Sequence, residues 1–93
     1  MSSYVYILAN RRHGALYVGV TSDLTGRVWQ HREKVSDGFT KRYDVSRLVY
    51  FEIHDDIKTA IKREKIIKKW KRDWKYNLIE QDNPHWDDLF PHL

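Results

Sequence analysis

Two apolar segments near the start of the chain decide its fold, YVYILA at residues 4–9 and ALYVGV at residues 15–20. Both are rich in the β-branched and aromatic residues that are typical of strands. The turn NRRHG at residues 10–14 is so short that the two strands must be antiparallel neighbours. The sequence therefore predicts a β-hairpin at the start of the fold.

The hairpin carries tyrosines on one face. Because side chains alternate between the faces of a strand, Tyr4 and Tyr6 share one face of the first strand, and Tyr17 and Gly19 share one face of the second. Strand pairing would bring Tyr6 and Tyr17 side by side, with Gly19 leaving room beside them. Tyrosine is common in strands, so ordinary packing explains these residues when they are considered alone.

The rest of the chain predicts a third strand and several helices. N-cap candidates precede two helical patterns, and a further apolar run predicts a strand. In order along the chain, we predict a helix capped by Thr21, Ser22 or Asp23 and running to about residue 34, a polar loop over 35–44, a strand over 47–53, and a long helical segment that follows Asp55 and Asp56.

The long helical segment is not predicted to be straight. At about 100° per residue, its apolar residues fall on two different sides. Those sides are Ile57, Ala60 and Ile61 on one, and Ile66, Ile67, Trp70 and Trp74 on the other. We therefore expect a break near residues 68–72 and a further helix to about residue 79.

The resulting order is β-β-α-β-α-α, a small α/β fold with a three-stranded, mainly antiparallel central sheet flanked by helices. We expect one domain over residues 1–93, with a core over about 4–79 and an acidic, aromatic tail over 80–93. Asn83-Pro84 should stop helical structure. Three apolar residues are expected to dock the tail onto the body, Trp86, Leu89 and Phe90.

The composition favours a polyanionic partner and excludes several other classes. Without cysteine there is no disulfide framework or thiolate metal site. No segment approaches the roughly 20 apolar residues of a membrane span, and no signal-peptide pattern opens the chain, so we expect a cytoplasmic protein with no membrane partner. Four of the 13 acids lie beyond residue 79, so residues 1–79 carry 17 Lys and Arg against nine acids, a net charge of +8. Nucleic acid suits that charge, although a solvated helix face would also explain it.

Glu64 is a charged residue at a position where the helical pattern calls for an apolar one. On the helical wheel it falls within the apolar stripe of the long segment, so its carboxylate should face the sheet. A carboxylate is almost never buried without compensation, because stripping it of water is costly. A metal ion or a cleft open to solvent would compensate it, and Arg27, Lys65 and Lys68 are available for a purely structural salt bridge.

The first predicted helix also carries polar groups, a guanidinium and an imidazole, on the face that should point inward. His31 falls on the inner stripe formed by Leu24, Val28 and Val35, and Arg27 lies one turn before it on the same face. We expect both side chains to point towards the tyrosines at the sheet edge. Alternatively, His31 is a satisfied core histidine and Arg27 pairs with a nearby acid at the surface.

Together these residues resemble the GIY-YIG endonuclease superfamily. The resemblance is closest to its small single-domain bacterial members, which are similar to the N-terminal nuclease domain of the bacterial nucleotide-excision-repair incision protein. Tyr4-Val5-Tyr6 matches the first triplet of the family, with Tyr-Val in place of Gly-Ile, and Tyr17-Val18-Gly19 matches the second, with Val in place of Ile. The single residues that follow also match in order, namely the family arginine (Arg27), a frequent histidine (His31), the metal-binding glutamate (Glu64) and the late asparagine (Asn77). The asparagine would position the end of a helix or strand by hydrogen bonds. Val20 and Thr21 stand where some members have a lysine.

The resemblance implies an endonuclease that hydrolyses phosphodiester bonds, in DNA rather than RNA and with a role in DNA repair. It would use one divalent cation, Mg²⁺ or Mn²⁺, held by Glu64. Mg²⁺ typically takes one or two carboxylates together with waters and phosphate oxygens, so a lone glutamate is sufficient. Arg27 would hold the phosphate, Tyr6 or Tyr17 would take the proton of the attacking water, and His31 would assist a tyrosine.

The basic helix would supply contacts to the nucleic-acid backbone. Such contacts bind phosphates in a salt-dependent and largely sequence-independent way. The candidates are Lys58, Lys62, Lys65, Lys69 and Arg72. A single active site would nick one strand, so double-strand cutting would need a homodimer or a partner protein.

Two other functions remain open. The chain would be a non-catalytic nucleic-acid-binding module if it kept the fold and basic surface without cutting, although none of the family residues is missing. It would be a protein-interaction domain if Trp70, Trp74, Trp86 and Phe90 formed an exposed aromatic patch, but aromatic residues at helical spacing are more often core. We therefore favour a metal-dependent nuclease.

Overall fold

The computed structural model describes residues 2–33 and 38–93, and its elements follow the predicted order with two additions, a short helix after the first one and a 3₁₀ turn near the end. They are β1 (Ser3–Ala9), β2 (Leu16–Thr21), α1 (Leu24–Arg32), α2 (Gly38–Tyr43), β3 (Arg47–His54), α3 (Ile57–Lys69), α4 (Arg72–Asp82) and a 3₁₀ turn (Phe90–His92). The predicted α/β fold is confirmed. None of the helices in the described ranges is both long and apolar enough to cross a membrane.

The sheet has the strand order β2-β1-β3, and both pairings are antiparallel. The central strand β1 is buried from Val5 to Ala9 because both of its neighbours and both faces cover it. A register shift between Ile7 and Leu8 interrupts its pairing with β3. Strands β2 and β3 are left as the two edges of the sheet.

Helices cover both faces of the sheet. Side-chain alternation along β1 sends Val5 and Ile7 to one face, where they pack with residues of α3, α4 and the tail. Tyr6 and Leu8 point to the other face, where they pack with residues of α1. The first helix therefore lies on one face of the sheet, and α3 and α4 lie on the opposite face.

The chain after α1 differs from the predicted loop. Residues 34–37, which include the predicted end of the first helix, lie outside the described residues. Residues 38–43 form α2, so the prediction of a loop there was wrong. Gly38 is the first residue of this helix and not an interior one, where its helix-weakening effect would be felt. The helix ends at Tyr43 and is followed by Asp44, whose φ of 55° lies in the left-handed region that aspartate tolerates better than most residues.

The predicted break between the last two helices is confirmed. Trp70 and Lys71 are extended, with ψ of 150° and 154°, and they separate α3 from α4. The predicted apolar stripe on α3 was wrong in part, because Ile57 and Ile61 are 43% and 36% exposed. Ile67 is instead fully buried together with Ala60.

The inner stripe of α3 therefore runs through Ala60, Glu64 and Ile67, at the i, i+4, i+7 spacing of a helix face that contacts a sheet. Glu64 lies in the middle of this stripe between two fully buried apolar residues. Packing, and not the density of apolar residues along the helix, selects which stripe faces inward.

A polar network ties α3 to β3 on the same face. The Glu52 carboxylate accepts hydrogen bonds from Tyr50 and, at 3.1 Å, from Arg63 Nε, and it lies 2.6 Å from His54 Nε2. Burial alone would raise the pKa of Glu52, but these hydrogen bonds outweigh burial and hold the pKa below its usual value. The pKa of Tyr50 is raised, by burial and by the same carboxylate.

The tail docks onto the body as predicted. Trp86 is fully buried in the cluster on the α3 face, and Leu89 and Phe90 pack against the cluster on the α1 face. The aromatic patch required for a protein-interaction domain is therefore reduced to Trp70 and Trp74, of which Trp74 is 57% exposed.

Candidate active site

The β1–β2 hairpin fixes the position of Tyr6. Its backbone lies opposite Gly19 in the strand register, and its side chain is 1% exposed. A methyl group at position 19 would come within 2.5 Å of the Tyr6 hydroxyl oxygen, so only glycine leaves space for this ring. The predicted role of Gly19 as the residue that makes room is therefore visible in the geometry.

Helix α1 brings His31 to the same place. Asp23 caps the helix by accepting a hydrogen bond from Gly26 N at 3.1 Å, and the buried side chains of Leu24 and Val28 hold the helix on the sheet. His31 is 1% exposed, and its Nε2 lies 3.2 Å from the Tyr6 hydroxyl oxygen.

Tyr17 completes the ring cluster. Its ring centroid lies 5.1 Å from that of His31 and 6.3 Å from that of Tyr6. Two phenols and an imidazole thus share one small region at the β2 side of the sheet, as the alternation of the strands predicts.

Arg27 adds a cation to this cluster. Its guanidinium interacts with the hydroxyls of both Tyr6 and Tyr17, and its Nη1 donates a hydrogen bond to Gln30 Oε1 at 2.9 Å. Partial burial alone would lower the pKa of Arg27, but the two tyrosines offset that effect and hold the pKa above its usual value. The arginine is therefore a fixed positive charge beside two phenol oxygens, in a position to bind an anion.

Glu64 lies on α3, on the opposite face of the sheet from this cluster. Its side chain is only 12% exposed, and its Oε2 forms an ion pair with Lys68 Nζ at 2.9 Å. Lys68 also lines a cavity of about 290 Å³ together with Tyr17 and Lys75. Tyr17 is therefore the residue that links the ring cluster with the Glu64–Lys68 pair, and the site extends around the edge strand β2.

The residues at Glu64 fit a hard divalent cation. Among residues 2–33 and 38–93, no three His, Cys, Asp or Glu side chains lie close enough together to hold a metal by themselves. A cation at Glu64 would thus have a single protein carboxylate and would complete its coordination with water and phosphate oxygens. That donor set is typical of Mg²⁺, which holds on to several waters and binds substrate phosphates.

Two lysines at this edge were not assigned to the site from the sequence. The sequence identifies Lys68 only as a possible salt-bridge partner of Glu64 and gives Lys75 no role in the site. Burial and the nearby charge of Arg72 lower the pKa of Lys75. Lys75 and Arg72 also line a second cavity, of about 140 Å³, beside Leu16. The i,i+4 spacing of Glu64 and Lys68 was the available signal, whereas nothing in the sequence places Lys75 beside β2.

The predicted backbone-binding residues do not all lie at this edge. Four of them are exposed on the side of α3 that is opposite to its buried stripe, at about 100° per residue. These four are Lys58, Lys62, Lys65 and Lys69. Arg72, the fifth, lies beside Lys75 at the edge of β2.

Asn77 lies elsewhere. It is exposed on α4 and lines a shallow depression with Trp70 and Trp74. The asparagine that fixes an element end is Asn83, which is 6% exposed and donates hydrogen bonds from Nδ2 to the carbonyl oxygens of Val49 at 3.0 Å and Asp87 at 2.9 Å. Sequence reasoning recognised Asn83 only as part of a helix stop.

Comparisons with known proteins agree with this arrangement. The family model described as the GIY-YIG catalytic domain matches residues 2–77. A UPF0213 protein of Staphylococcus saprophyticus is 35% identical over 78 residues, which cover 84% of this chain and 94% of that protein. A UPF0213 protein of Staphylococcus aureus is 35% identical over 80 residues, which cover 86% of this chain and 96% of that protein.

A solved structure is similar as well. The solution NMR structure of a UPF0213 protein from Bacillus halodurans superimposes with a TM-score of 0.58 at 26% identity, covering 95% of this chain and 93% of that one. The family match includes every residue of the tyrosine cluster and Glu64. The chain belongs to the GIY-YIG catalytic domain family, and this membership points to a nuclease.

Proposed function

We propose that this protein is a metal-dependent endonuclease that hydrolyses phosphodiester bonds in DNA. The observation that carries the proposal is the convergence of Tyr6, Tyr17, His31 and Arg27 in one cluster. The nearly buried carboxylate of Glu64 is connected to this cluster through Lys68, its ion-pair partner, which lines a cavity with Tyr17. Packing alone does not require a guanidinium, an imidazole and two phenols to meet.

Each residue of the cluster has a task in this proposal. Arg27 binds the scissile phosphate through its planar pair of donors and stabilises the negative charge that grows on it. One phenol, that of Tyr6 or Tyr17, takes a proton from the attacking water, and His31 can receive a proton from Tyr6 through their 3.2 Å hydrogen bond. Asn77 remains a proposed site residue by family position.

A divalent cation bound at Glu64, Mg²⁺ or Mn²⁺, would supply electrophilic stabilisation of the phosphate and of the leaving oxygen. Glu64 would hold it on the side of the cluster that faces Lys68 and Lys75. These two lysines are placed to contact backbone phosphates next to the scissile one. They are also candidates for the role of the lysine that some family members carry after the second triplet.

The substrate surface would then follow the edge of β2. Phosphates on one side of the scissile bond would meet Lys68, Lys75 and Arg72. The lysines on the outer side of α3 would raise the local concentration of nucleic acid through long-range attraction. DNA is proposed over RNA because the small single-domain members that this chain resembles are similar to the nuclease domain of a DNA-repair protein. A single site of this kind would nick one strand.

The experiment compares wild type with Glu64→Gln on labelled single-stranded, duplex and branched DNA and on RNA. Each substrate is assayed with Mg²⁺, with Mn²⁺ and with chelator, after circular dichroism has shown equal folding. Glu33→Gln, the same change at an exposed position on the end of α1, is the matched control. We expect wild type and the control to cleave the substrate, and chelator to abolish this cleavage. Glu64→Gln should bind the substrate without cleaving it.

Other results would change the assignment. Binding without cleavage by every protein, with either metal, would identify a non-catalytic nucleic-acid-binding module. Cleavage that survives Glu64→Gln and chelator would refute the role of the carboxylate and of the cation.

A further inference from the structure

The two partners of the Glu64–Lys68 ion pair lie in very different surroundings. The Glu64 side chain is 12% exposed, whereas that of Lys68 is 52% exposed. A nearly buried carboxylate needs a positive partner because few water molecules can reach it. A lysine that is half in water can leave its partner at little cost, because exposed ion pairs contribute only about 0–1 kcal/mol. Water can therefore solvate the departing lysine but not the carboxylate, so the pair opens at low cost only when another cation takes the place of Lys68 beside Glu64.

The same lysine faces the proposed path of the substrate. Lys68 lines the cavity of about 290 Å³ with Tyr17 and Lys75, and Tyr17 also belongs to the ring cluster. A phosphate group in this cavity would offer Lys68 a second anion beside the first. Because Lys75 lines the same cavity, a phosphate there would be held by two ammonium groups.

We propose that Lys68 is a positioning residue that occupies the cation-binding side of Glu64 in the free protein and moves to a backbone phosphate when nucleic acid binds. The proposal rests on the proposed function, since it takes Glu64 as the cation ligand. Its consequence is that the divalent cation and the nucleic acid promote each other's binding. The free protein then holds a cation weakly and acquires it together with its substrate.

Binding of Mn²⁺, followed by the electron paramagnetic resonance signal of the free ion, tests this proposal without any reaction. The proteins are wild type, Lys68→Met, Lys68→Arg and Glu64→Gln. Lys71→Met is the control for net charge, because Lys71 is exposed at the α3–α4 junction and its side chain makes no capping hydrogen bond. Each is titrated alone and with a nuclease-resistant phosphorothioate oligonucleotide, after subtraction of the Mn²⁺ that the oligonucleotide binds by itself.

We expect free Lys68→Met to bind Mn²⁺ about tenfold more tightly than wild type, because a competing charge next to the carboxylate is gone. The oligonucleotide should tighten Mn²⁺ binding to wild type by a similar factor and to Lys68→Met much less. Lys68→Arg keeps the positive charge beside Glu64, so it should bind Mn²⁺ like wild type and show that substitution at position 68 does not act by disturbing the fold. Lys71→Met should also bind Mn²⁺ like wild type.

Two results would overturn the proposal, and they separate it from the proposed function. Equal Mn²⁺ affinity of wild type and Lys68→Met, lost in Glu64→Gln, would leave Glu64 as the cation ligand and refute the masking by Lys68. If Glu64→Gln bound Mn²⁺ as tightly as wild type, with and without oligonucleotide, both the masking and the proposed cation site would be wrong.

Discussion

Gly19 and Tyr6 offer the most direct test of how the hairpin builds the site. In Gly19→Ala the new methyl group would lie 2.4 Å from Tyr6 Cζ and 2.5 Å from the hydroxyl oxygen. That is about 1 Å less than the distance at which carbon atoms attract each other. Because the Tyr6 side chain is 1% exposed and closely packed, its ring can move only by displacing its neighbours.

Two opposing effects set the magnitude. Overpacking of a core typically costs about 1–3 kcal/mol, and loss of the Tyr6–His31 hydrogen bond adds about 1 kcal/mol. Replacing glycine in a strand restrains the unfolded chain and returns about 0.5–1 kcal/mol. The clash should therefore outweigh the gain, and the free energy of unfolding should fall by about 1–3 kcal/mol. That corresponds to a melting temperature lower by about 5–20 °C for a domain of this size.

Thermal unfolding followed by circular dichroism measures this effect. Gly38→Ala is the matched control, since nothing lies within 4 Å of a methyl group at that position. It should leave stability unchanged or raise it by up to about 1 kcal/mol. If Gly19→Ala melted together with wild type and kept the aromatic near-ultraviolet spectrum, Tyr6 would be free to move, and the argument that glycine fixes its position would be refuted.

Three further predictions concern Asn83, Glu52 and Arg27. Asn83→Ala should lower the free energy of unfolding in urea by about 1–3 kcal/mol, because it leaves the buried carbonyl of Val49 without its donor; exposed Asn77→Ala should change it little, and equal losses would contradict this explanation. Because the pKa of Glu52 is lowered in the folded protein, its contribution to stability is present above the unfolded pKa of about 4.3 and is lost as the pH falls through the folded value. Wild type should therefore lose stability more steeply than Glu52→Gln in acid titrations of the free energy of unfolding, and parallel curves would count against this. Arg27→Ala should reduce cleavage by about 100-fold or more with little change in melting temperature, and Arg27→Lys should restore little of it, because an ammonium lacks the paired donors; full recovery would mean that charge alone suffices.

Local patterns were enough to predict most of the fold. The alternation in β1 and β2 and the short turn between them determine the hairpin, so the meeting of Tyr6, Tyr17 and Gly19 follows from the strand register. The predictions failed where burial depends on the direction in which a helix lies on the sheet. Ile61 is as apolar as Ile67, but only Ile67 faces β1, and the helical pattern contains no information about that choice.

The edge of the site was harder to predict for a related reason. Glu64 and Lys68 are neighbours on one helix, so their pairing can be read from spacing. Lys75 belongs to a second helix whose direction is set by the extended residues of the break. Its position beside β2 depends on tertiary packing, as does the burial of Asn83 under the tail.

Strand β2 is an edge of the sheet, and this has a consequence for how copies of the protein meet one another. An edge strand presents unpaired backbone groups that invite a strand from another chain, and natural proteins often protect such edges with lysine. Lys68 and Lys75 lie beside this edge. A second copy that approached strand to strand would bring the Lys75 ammonium groups of both copies together, along with both Glu64–Lys68 ion pairs, whereas a polyphosphate chain would neutralise the ammonium groups. We therefore expect the charge at this edge to disfavour strand-to-strand pairing of two copies and to favour a polyanion on the same surface.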